Sequence, residues 1–293
     1  MYKRQVLAAA IPFKGRWYQP SGGSTPLQLT VKLIEGGHSD IAKGYVAQLV
    51  DSDSPLLSAD LVNLLGAIQV DEKEYAQAAQ SFLHSLQLDP NNRQAHLEVG
   101  ELLLRAGKGA RAQEHFEFAV KATPNDPSLV QKLGLCQLMQ GKLGAAAAQM
   151  ERSLELRPMP MTHWYLADIG IARKDAGMAI TNFESALRLN PKLIVRSNNL
   201  AWLLATTDNE EHRDGERAVI VAEKLVESLA SPKAENLDTL SAAYASAGRF
   251  ADAVKTATKA AAMAQAEGNA RLRGTMQKRL EMYRQKKSLR ESL

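Results

Sequence analysis

The chain has 293 residues, of which 45% are hydrophobic, 5% aromatic and 23% charged, with a formal net charge of +4. Residues 1–20 carry +4 and residues 270–293 carry +6, so residues 21–269 carry −6. This acidic middle disfavours a nucleic-acid surface, which needs clustered Lys and Arg. The single Cys136 excludes an internal disulfide, and no apolar run reaches the roughly 20 residues that a membrane helix needs.

Residues 1–22 are predicted to form an unstructured tail. Gln19–Pro26 is rich in Pro, Gly and Ser and is typical of a linker. Tyr2–Gln5 resembles the translated end of a transposon adaptor used in sequencing libraries, in which case Met1 is not the native start. Two interpretations of Val6–Ile11 stay open: an ordinary flexible tail, or the end of a signal peptide or membrane helix that begins further upstream.

The sequence then repeats with a period of 34 residues. Segments that start at Ala59, Arg93 and Pro127 carry matching residues at five positions, with Lys73 as the one clear departure. The eighth, fifteenth, twentieth, twenty-fourth and thirty-second positions are Gly66, Gly100 and Gly134; Lys73, Gly107 and Gly141; Ala78, Ala112 and Ala146; Phe82, Phe116 and Met150; Pro90, Pro124 and Pro158. Small residues allow two helices to approach closely, glycine favours a turn with positive φ, and proline ends a helix. Each segment is therefore predicted to be two helices of roughly 13 residues joined by a tight turn.

The pattern extends in both directions with departures. A degenerate unit is predicted over 23–58, followed by units over 59–92, 93–126, 127–159, 160–193, 194–233 and 234–268. In the fourth unit, from Pro160, the period is one residue short, because Pro191 follows Pro158 by 33 residues. We place the missing residue near the first turn of this unit. The fifth starts at Ile194 and contains an enlarged turn, Asp208–Gly215. Residues 269–293 are predicted to form a capping helix and a basic tail.

These residues resemble the tetratricopeptide repeat (TPR), a helix–turn–helix unit, over about nine-tenths of the chain. The resemblance implies an all-α fold, a right-handed superhelical solenoid of antiparallel helix pairs with a C-terminal capping helix. The stretch Asn198–Thr206 with the long turn looks like the end of many bacterial TPR-containing proteins, so we expect a bacterial origin.

The sequence contains no arrangement typical of an enzyme. There is no His-Glu-x-x-His, no nucleotide-binding loop, no nucleophile elbow and no second Cys for a metal site. Gly107-Lys108-Gly109 follows no strand and is explained by the repeat as a turn between helices. We therefore expect no catalytic residues, no metal and no cofactor.

In the TPR family, side chains of the first helix of each unit line a concave groove that binds peptides. Carried over by position, the resemblance implies a groove of aromatic, Met and polar side chains: Leu135, Leu138, Met139, Met161, Trp164, Asp168, Asn198 and Trp202. We expect this groove to bind a peptide or protein partner. If the register of the fourth unit slips by one residue, Trp164 becomes a core residue instead.

Three functional interpretations follow. The first is a non-catalytic scaffold that binds a partner protein in the groove. The alternative is the C-terminal TPR portion of a longer membrane-bound or secreted enzyme whose catalytic domain lies upstream. The third is self-association through a terminal repeat. Nucleic-acid binding is not expected, and a membrane tether is expected only through a missing N-terminal segment. The compartment is then the bacterial cytoplasm, or the periplasm if Val6–Ile11 belongs to a signal or anchor.

Overall fold

A computed structural model describes residues 11–13, 16–18 and 25–291. The chain divides into two compact lobes, an N-terminal lobe, Met1–Asn125, and a C-terminal lobe, Asp126–Leu293. The described part of the N-terminal lobe consists of β1 (Ile11–Phe13), β2 (Arg16–Tyr18), α1 (Pro26–Glu35), α2 (Ser39–Asp51), α3 (Ala59–Asp71), α4 (Tyr75–Leu88), α5 (Arg93–Arg105) and α6 (Gly109–Ala122).

The described part of the C-terminal lobe is helical apart from one isolated bridge. It comprises α7 (Pro127–Met139), α8 (Leu143–Leu156), α9 (Pro160–Ala172), α10 (Ala176–Leu189), a 3₁₀ helix (Pro191–Arg196), α11 (Asn198–Thr206), α12 (Gly215–Ser228), α13 (Ala234–Ser246), α14 (Phe250–Ala266) and α15 (Ala270–Arg284). The prediction of an all-α solenoid fold is confirmed. No described helix is both long enough and apolar enough to cross a membrane.

The tail predicted over residues 1–22 contains regular structure. Strands β1 and β2 pair antiparallel, with Ile11 opposite Tyr18 and Phe13 opposite Arg16. A wholly unstructured tail is therefore a wrong prediction for these six residues. The prediction for Tyr2–Gln5, and that for Val6–Ile11 apart from Ile11 itself, lie outside the described residues.

The glycines at the eighth position of the repeat lie directly against the side chain at the twenty-fourth. A Cβ atom added to Gly66 would lie 2.5 Å from the Phe82 ring, and one added to Gly100 would lie 2.8 Å from the Phe116 ring. Both rings are fully buried. In these two repeats a large side chain thus occupies the space above a glycine, in line with the close helix approach that small residues at this position predict.

The turns within the repeats also follow the pattern. Gly107 and Gly141 have φ near 73°, the left-handed region where glycine is favoured. Lys73 adopts the same conformation with φ 64° although it has a side chain. The first helices of the repeats begin after N-cap residues: the side chains of Asn92 and Asp126 accept hydrogen bonds from the backbone amides of Ala95 and Leu129.

The irregular repeats differ from the prediction in detail. Helices α7 and α9 both have 13 residues, so the residue lost from the 34-residue period lies in the connection before Pro160 and not near the first turn of the fourth repeat. In the fifth repeat, Ile194 lies in the 3₁₀ helix, and α11 starts only at Asn198 and has nine residues. Pro191 is the first residue of this 3₁₀ helix, and the Asn190 side chain accepts a hydrogen bond from the backbone amide of Lys192 there.

The C-terminal helix packs where a cap is expected. Leu272 and Met276 contact a buried cluster with Leu237 and Ala260, and Leu280 and Tyr283 contact a second one with Ala245 and Ala253. Beyond α15 the chain returns to the end of α11. The amide of Glu291 donates to the Thr206 carbonyl at 2.8 Å, and the amide of Asp208 donates to the Glu291 carbonyl at 3.3 Å.

Candidate protein-binding face

The first helices of three repeats in the C-terminal lobe, α7, α9 and α11, each present side chains spaced by one helical turn. On α7 these are Gln131, Leu135 and Leu138; on α9 they are Met161, Tyr165 and Asp168; on α11 they are Asn198 and Trp202. Residues spaced i, i+4 and i+7 lie on one face of a helix. We call this set the A-helix face. All eight side chains are partly exposed.

Hydrogen bonds join neighbouring first helices. The Gln131 side-chain amide donates to the Thr162 hydroxyl at 2.6 Å, which connects α7 to α9. The Asn236 side chain on α13 donates to Asn198 Oδ1 at 3.2 Å, which connects α13 to α11. Leu135 and Leu138 rest partly on a core cluster that includes Met150. These contacts hold the backbone of the face in place.

Arg196 lies next to Met161, Tyr165 and Asp168 on this face, and the four side chains form a mixed polar and apolar cluster. Its Nη1 lies 3.6 Å from the Met161 sulfur, and its guanidinium carbon lies 5.8 Å from the centre of the Trp164 ring. Burial raises the pKa of Asp168, and the positive charge of Arg196 partly offsets that effect. Burial likewise raises the pKa of the Tyr165 phenol. The cluster thus combines an apolar thioether, a phenol and two opposite charges.

Trp164 does not belong to the exposed part of this face. Only 5% of its surface is exposed, and its ring packs against Phe183 with centroids 4.7 Å apart and planes at 59°. The expectation that Trp164 lines an open groove is therefore wrong in this structure. A large aromatic residue at this point gains more from packing between α9 and α10 than from remaining in water.

Trp202 is partly covered by the C-terminal helix. The guanidinium carbon of Arg279 lies 4.6 Å from the centre of the Trp202 ring. Arg279 also forms an ion pair with Asp238 on α13 and a longer one, at 3.4 Å, with Glu291. Burial outweighs the effect of Arg279 and raises the pKa of Asp238 to about 6. Arg279 thus connects α11, α13, α15 and the chain end.

The remaining predicted residue, Met139, is 42% exposed at the end of α7. The sequence prediction missed Arg196, Arg279 and Asp238. Arg279 had a detectable signal: it falls three residues after Met276 and four before Tyr283, so it lies on the apolar face of α15. A lone cation there indicates a buried acid in a neighbouring helix. The position of Arg196 beside Met161 could not be predicted from the sequence, because Arg196 lies in the irregular 3₁₀ helix.

Comparisons with known proteins identify the repeats. A tetratricopeptide repeat family model matches residues 59–92, and a second model with the same description matches residues 97–159. A curated relative, the human "Protein O-mannosyl-transferase TMTC3", is 28% identical over 98 residues. That match covers 33% of this chain and 11% of the relative, so the chain spans about a tenth of that protein's length.

Solved structures share the fold. A tetratricopeptide repeat protein from Parabacteroides merdae is 16% identical, with a TM-score of 0.59, over 86% of this chain and 97% of that one. Residues 41 to the end of MamA from Desulfovibrio magneticus RS-1 are 20% identical, with a TM-score of 0.51, over 57% of this chain and 97% of that one. At these identities the likeness concerns the fold alone.

The antiparallel helix pairs and their matching glycine contacts define a helical repeat protein of the solenoid class. More particularly, the chain is a tetratricopeptide repeat protein. Proteins built from these repeats are typically scaffolds for protein–protein interaction, and the repeats of this chain support such a scaffold role. The partner and the surface that binds it are matters of proposal.

Proposed function

We propose that the A-helix face of the C-terminal lobe binds a peptide segment of a partner protein. The observation that carries the proposal is the cluster of Met161, Tyr165, Asp168 and Arg196. These side chains are kept partly exposed on a backbone that neighbouring helices hold in place. Tyr, Met and Arg are enriched at protein interfaces, where a few such residues supply most of the binding energy.

The chemistry of the cluster suggests how a peptide is held. The Met161 thioether and the Tyr165 ring offer apolar contact, and Met adapts to partners of different shape. Asp168 and Arg196 offer an acceptor and a donor in a partly desolvated setting, where a hydrogen bond to a charged group is stronger than in water. Trp202 extends this surface towards α11.

Site-specific photo-crosslinking tests the proposal. A photoreactive amino acid replaces Tyr165 in one variant and Ile220 in another, and both are expressed in the source cells. Ile220 is a matched control, because it is apolar, 51% exposed and located on α12, a second helix of its repeat. We expect a discrete partner adduct from position 165 only. Equal adducts at both positions, or none at 165, would contradict the proposal.

The alternative is that the chain is the TPR portion of a longer enzyme. One observation favours it: the curated relative named as an O-mannosyl-transferase contains the matched stretch within a much longer protein. The partner segment would then belong to a substrate or a subunit of that enzyme. The upstream reading frame of the gene decides, because continuation into a membrane or globular domain supports this alternative.

A further inference from the structure

The N-terminal lobe contains an apolar cleft that the A-helix face does not include. It has a volume of about 530 Å³ and lies between α4, the end of α5 and the start of α6. Val99, Leu102 and Leu103 contribute apolar surface from α5. Tyr75 and Leu83 on α4 also line the cleft, and they are 42% and 44% exposed. This is a size at which proteins bind ligands or large side chains.

Three cations form one edge of this cleft. Arg105 ends α5, Lys108 is the N-cap residue of α6, and Arg111 is in the first turn of α6. No acidic side chain lines the cleft, and none of the three cations forms an ion pair among residues 25–291. The guanidinium carbon of Arg105 lies 5.4 Å from the centre of the Tyr75 ring. The cleft therefore combines an apolar floor with an uncompensated positive rim.

The other repeats provide an internal comparison for this site. The residue after the buried twenty-fourth position is Leu83 in the first full repeat, but it is glutamate in the next three: Glu117, Glu151 and Glu184. This position on the second helix is thus acidic in the three repeats that follow, but leucine beside the cleft. Folding of the repeat does not require Leu83, because the other repeats form the same helix with glutamate there.

The rim is equally particular to this repeat. The positions of Arg105, Lys108 and Arg111 are occupied by Asp71, Glu74 and Gln77 in the preceding repeat, and by Met139, Lys142 and Ala145 in the following one. Only the second repeat has three cations there. Leu83 belongs to the first full repeat and the three cations to the second, and all four side chains line the same cleft. Because the fold of the other repeats forms without these residues, their presence at one cleft favours a role in binding.

We propose that this cleft binds an acidic amphipathic helix of a partner protein. Tyr75 and Leu83 are eight residues apart on α4, which corresponds to roughly 12 Å along a helix. A partner helix that lies alongside α4 covers that distance with apolar residues spaced i, i+4 and i+7. Its glutamates or aspartates then reach Arg105, Lys108 and Arg111. Charge complementarity selects the acidic partner over a basic one.

A peptide titration tests this assignment on the full chain. The probe is a fluorescein-labelled peptide of roughly 16–18 residues, long enough to form a helix, with leucines spaced i, i+4 and i+7 and glutamates beside them. One control peptide has alanine for each leucine, and another has lysine for each glutamate. We expect the acidic leucine peptide to bind at least about tenfold more tightly than either control, and less tightly at raised salt.

Matched variants assign the binding to the cleft. Leu83→Glu introduces the residue that the next three repeats carry, and Lys108→Glu with Arg111→Glu reverses two rim charges. The control, Lys255→Glu with Lys259→Glu, makes the same charge change at two exposed positions of α14. We expect about tenfold weaker binding for both cleft variants and no change for the control. Circular dichroism checks that each variant keeps its helix content.

Several results would overturn the proposal. One is failure of the acidic leucine peptide to bind, and another is equal binding of the acidic and basic peptides. A third is equal loss in the cleft and control variants, which would show a general charge effect. Binding of vesicles of anionic phosphatidylglycerol through Lys108 and Arg111, without peptide binding, would assign the rim to a lipid surface instead.

Discussion

The glycine at the eighth position of the repeat is required by the ring that lies against it. Gly100 faces the buried Phe116 ring so closely that no methyl group fits without movement of the ring or the helix. Gly144 on α8 offers the contrast, because no atom outside the adjacent residues and the backbone of its own helix lies within 4 Å of the place where its Cβ would be. Both glycines are helical, Gly100 in the middle of α5 and Gly144 in the first turn of α8, and only Gly100 has a side chain packed against it.

We expect Gly100→Ala to destabilise the N-terminal lobe by about 1–3 kcal/mol, the usual cost of overpacking a core. Gly144→Ala is the control, and we expect it to stabilise its helix by up to about 1 kcal/mol, because alanine favours helix over glycine. Urea unfolding followed by circular dichroism measures both. Equal effects of the two substitutions would show that the contact with Phe116 does not matter.

A second feature at this scale is a pair of histidines on α5 and α6. The Nδ1 atoms of His96 and His115 lie 3.0 Å apart, and His96 Nε2 lies 3.1 Å from the Pro90 carbonyl. Burial lowers the pKa of His115, and the neighbouring His96 and Arg111 lower it further, whereas Glu114 raises it. Because the neutral ring is favoured in the fold, stability is complete above the unfolded pKa, near 6.5, and falls as the pH decreases below it.

We therefore expect the wild-type chain to lose more stability than His115→Gln between about pH 7.5 and pH 5. The sign of the difference follows from the lowered pKa of His115, which the glutamine variant lacks. Urea unfolding midpoints of both proteins, measured at both pH values, give the loss of stability for each. The same pH dependence in the two proteins would mean that His115 is not the group that titrates.

At the scale of elements, the sequence predicted the regular helices because their signals are local. Asn92 and Asp126 mark helix starts, Gly107 and Gly141 mark turns, and the apolar spacing follows from a single repeat. The strands β1 and β2 and the short α11 were not predicted. The strands form by pairing with each other. Helix α11 is short because the 3₁₀ helix Pro191–Arg196 takes the place of its first turn.

The same distinction applies to the candidate site. Met139, Met161, Asp168, Asn198 and Trp202 could be placed on the first helices from repeat position alone. The burial of Trp164 could not, because it depends on Phe183 from the following helix and on Arg196 after an irregular connection. Position within a repeat predicts which face a side chain is on, but its exposure depends on what the neighbouring elements place over it.

The attachment of α15 leads to a prediction at this scale. Arg279 and Asp238 are 14% and 7% exposed, and removal of one partner leaves a buried charge. We expect Arg279→Met to destabilise the C-terminal lobe by roughly 3–5 kcal/mol. Arg284→Met on the same helix is the control, since its pair with Glu281 is exposed, and we expect a change within about 0.5 kcal/mol.

The pH dependence of Arg279→Met adds a check with a defined sign. The pKa of Asp238 is about 6 with Arg279 present, and the loss of that positive charge raises it further. A carboxyl group with a raised pKa costs stability as the pH rises, so the variant should be less damaged at about pH 5 than at about pH 7.5. Thermal melts at both pH values test this. Equal damage would mean that Asp238 is not the buried charge left behind.

At the scale of the whole molecule, the described helices form two lobes in which each repeat contacts mainly its neighbours. Stability in such proteins is close to a sum over repeats and their interfaces. Substitutions in one repeat are therefore expected to act locally. This leaves side chains on the exposed faces, such as the A-helix face and the cleft beside Tyr75, free to differ between repeats.

The central claim is that the A-helix face holds the partner. Calorimetric titration with the partner segment captured by crosslinking at position 165 tests it most directly. Met161→Ala with Tyr165→Ala should weaken binding by about tenfold or more, as expected for interface anchors. Leu189→Ala with Ile220→Ala, two exposed apolar residues on second helices, should leave it unchanged. Equal affinities for the two double variants would contradict the claim.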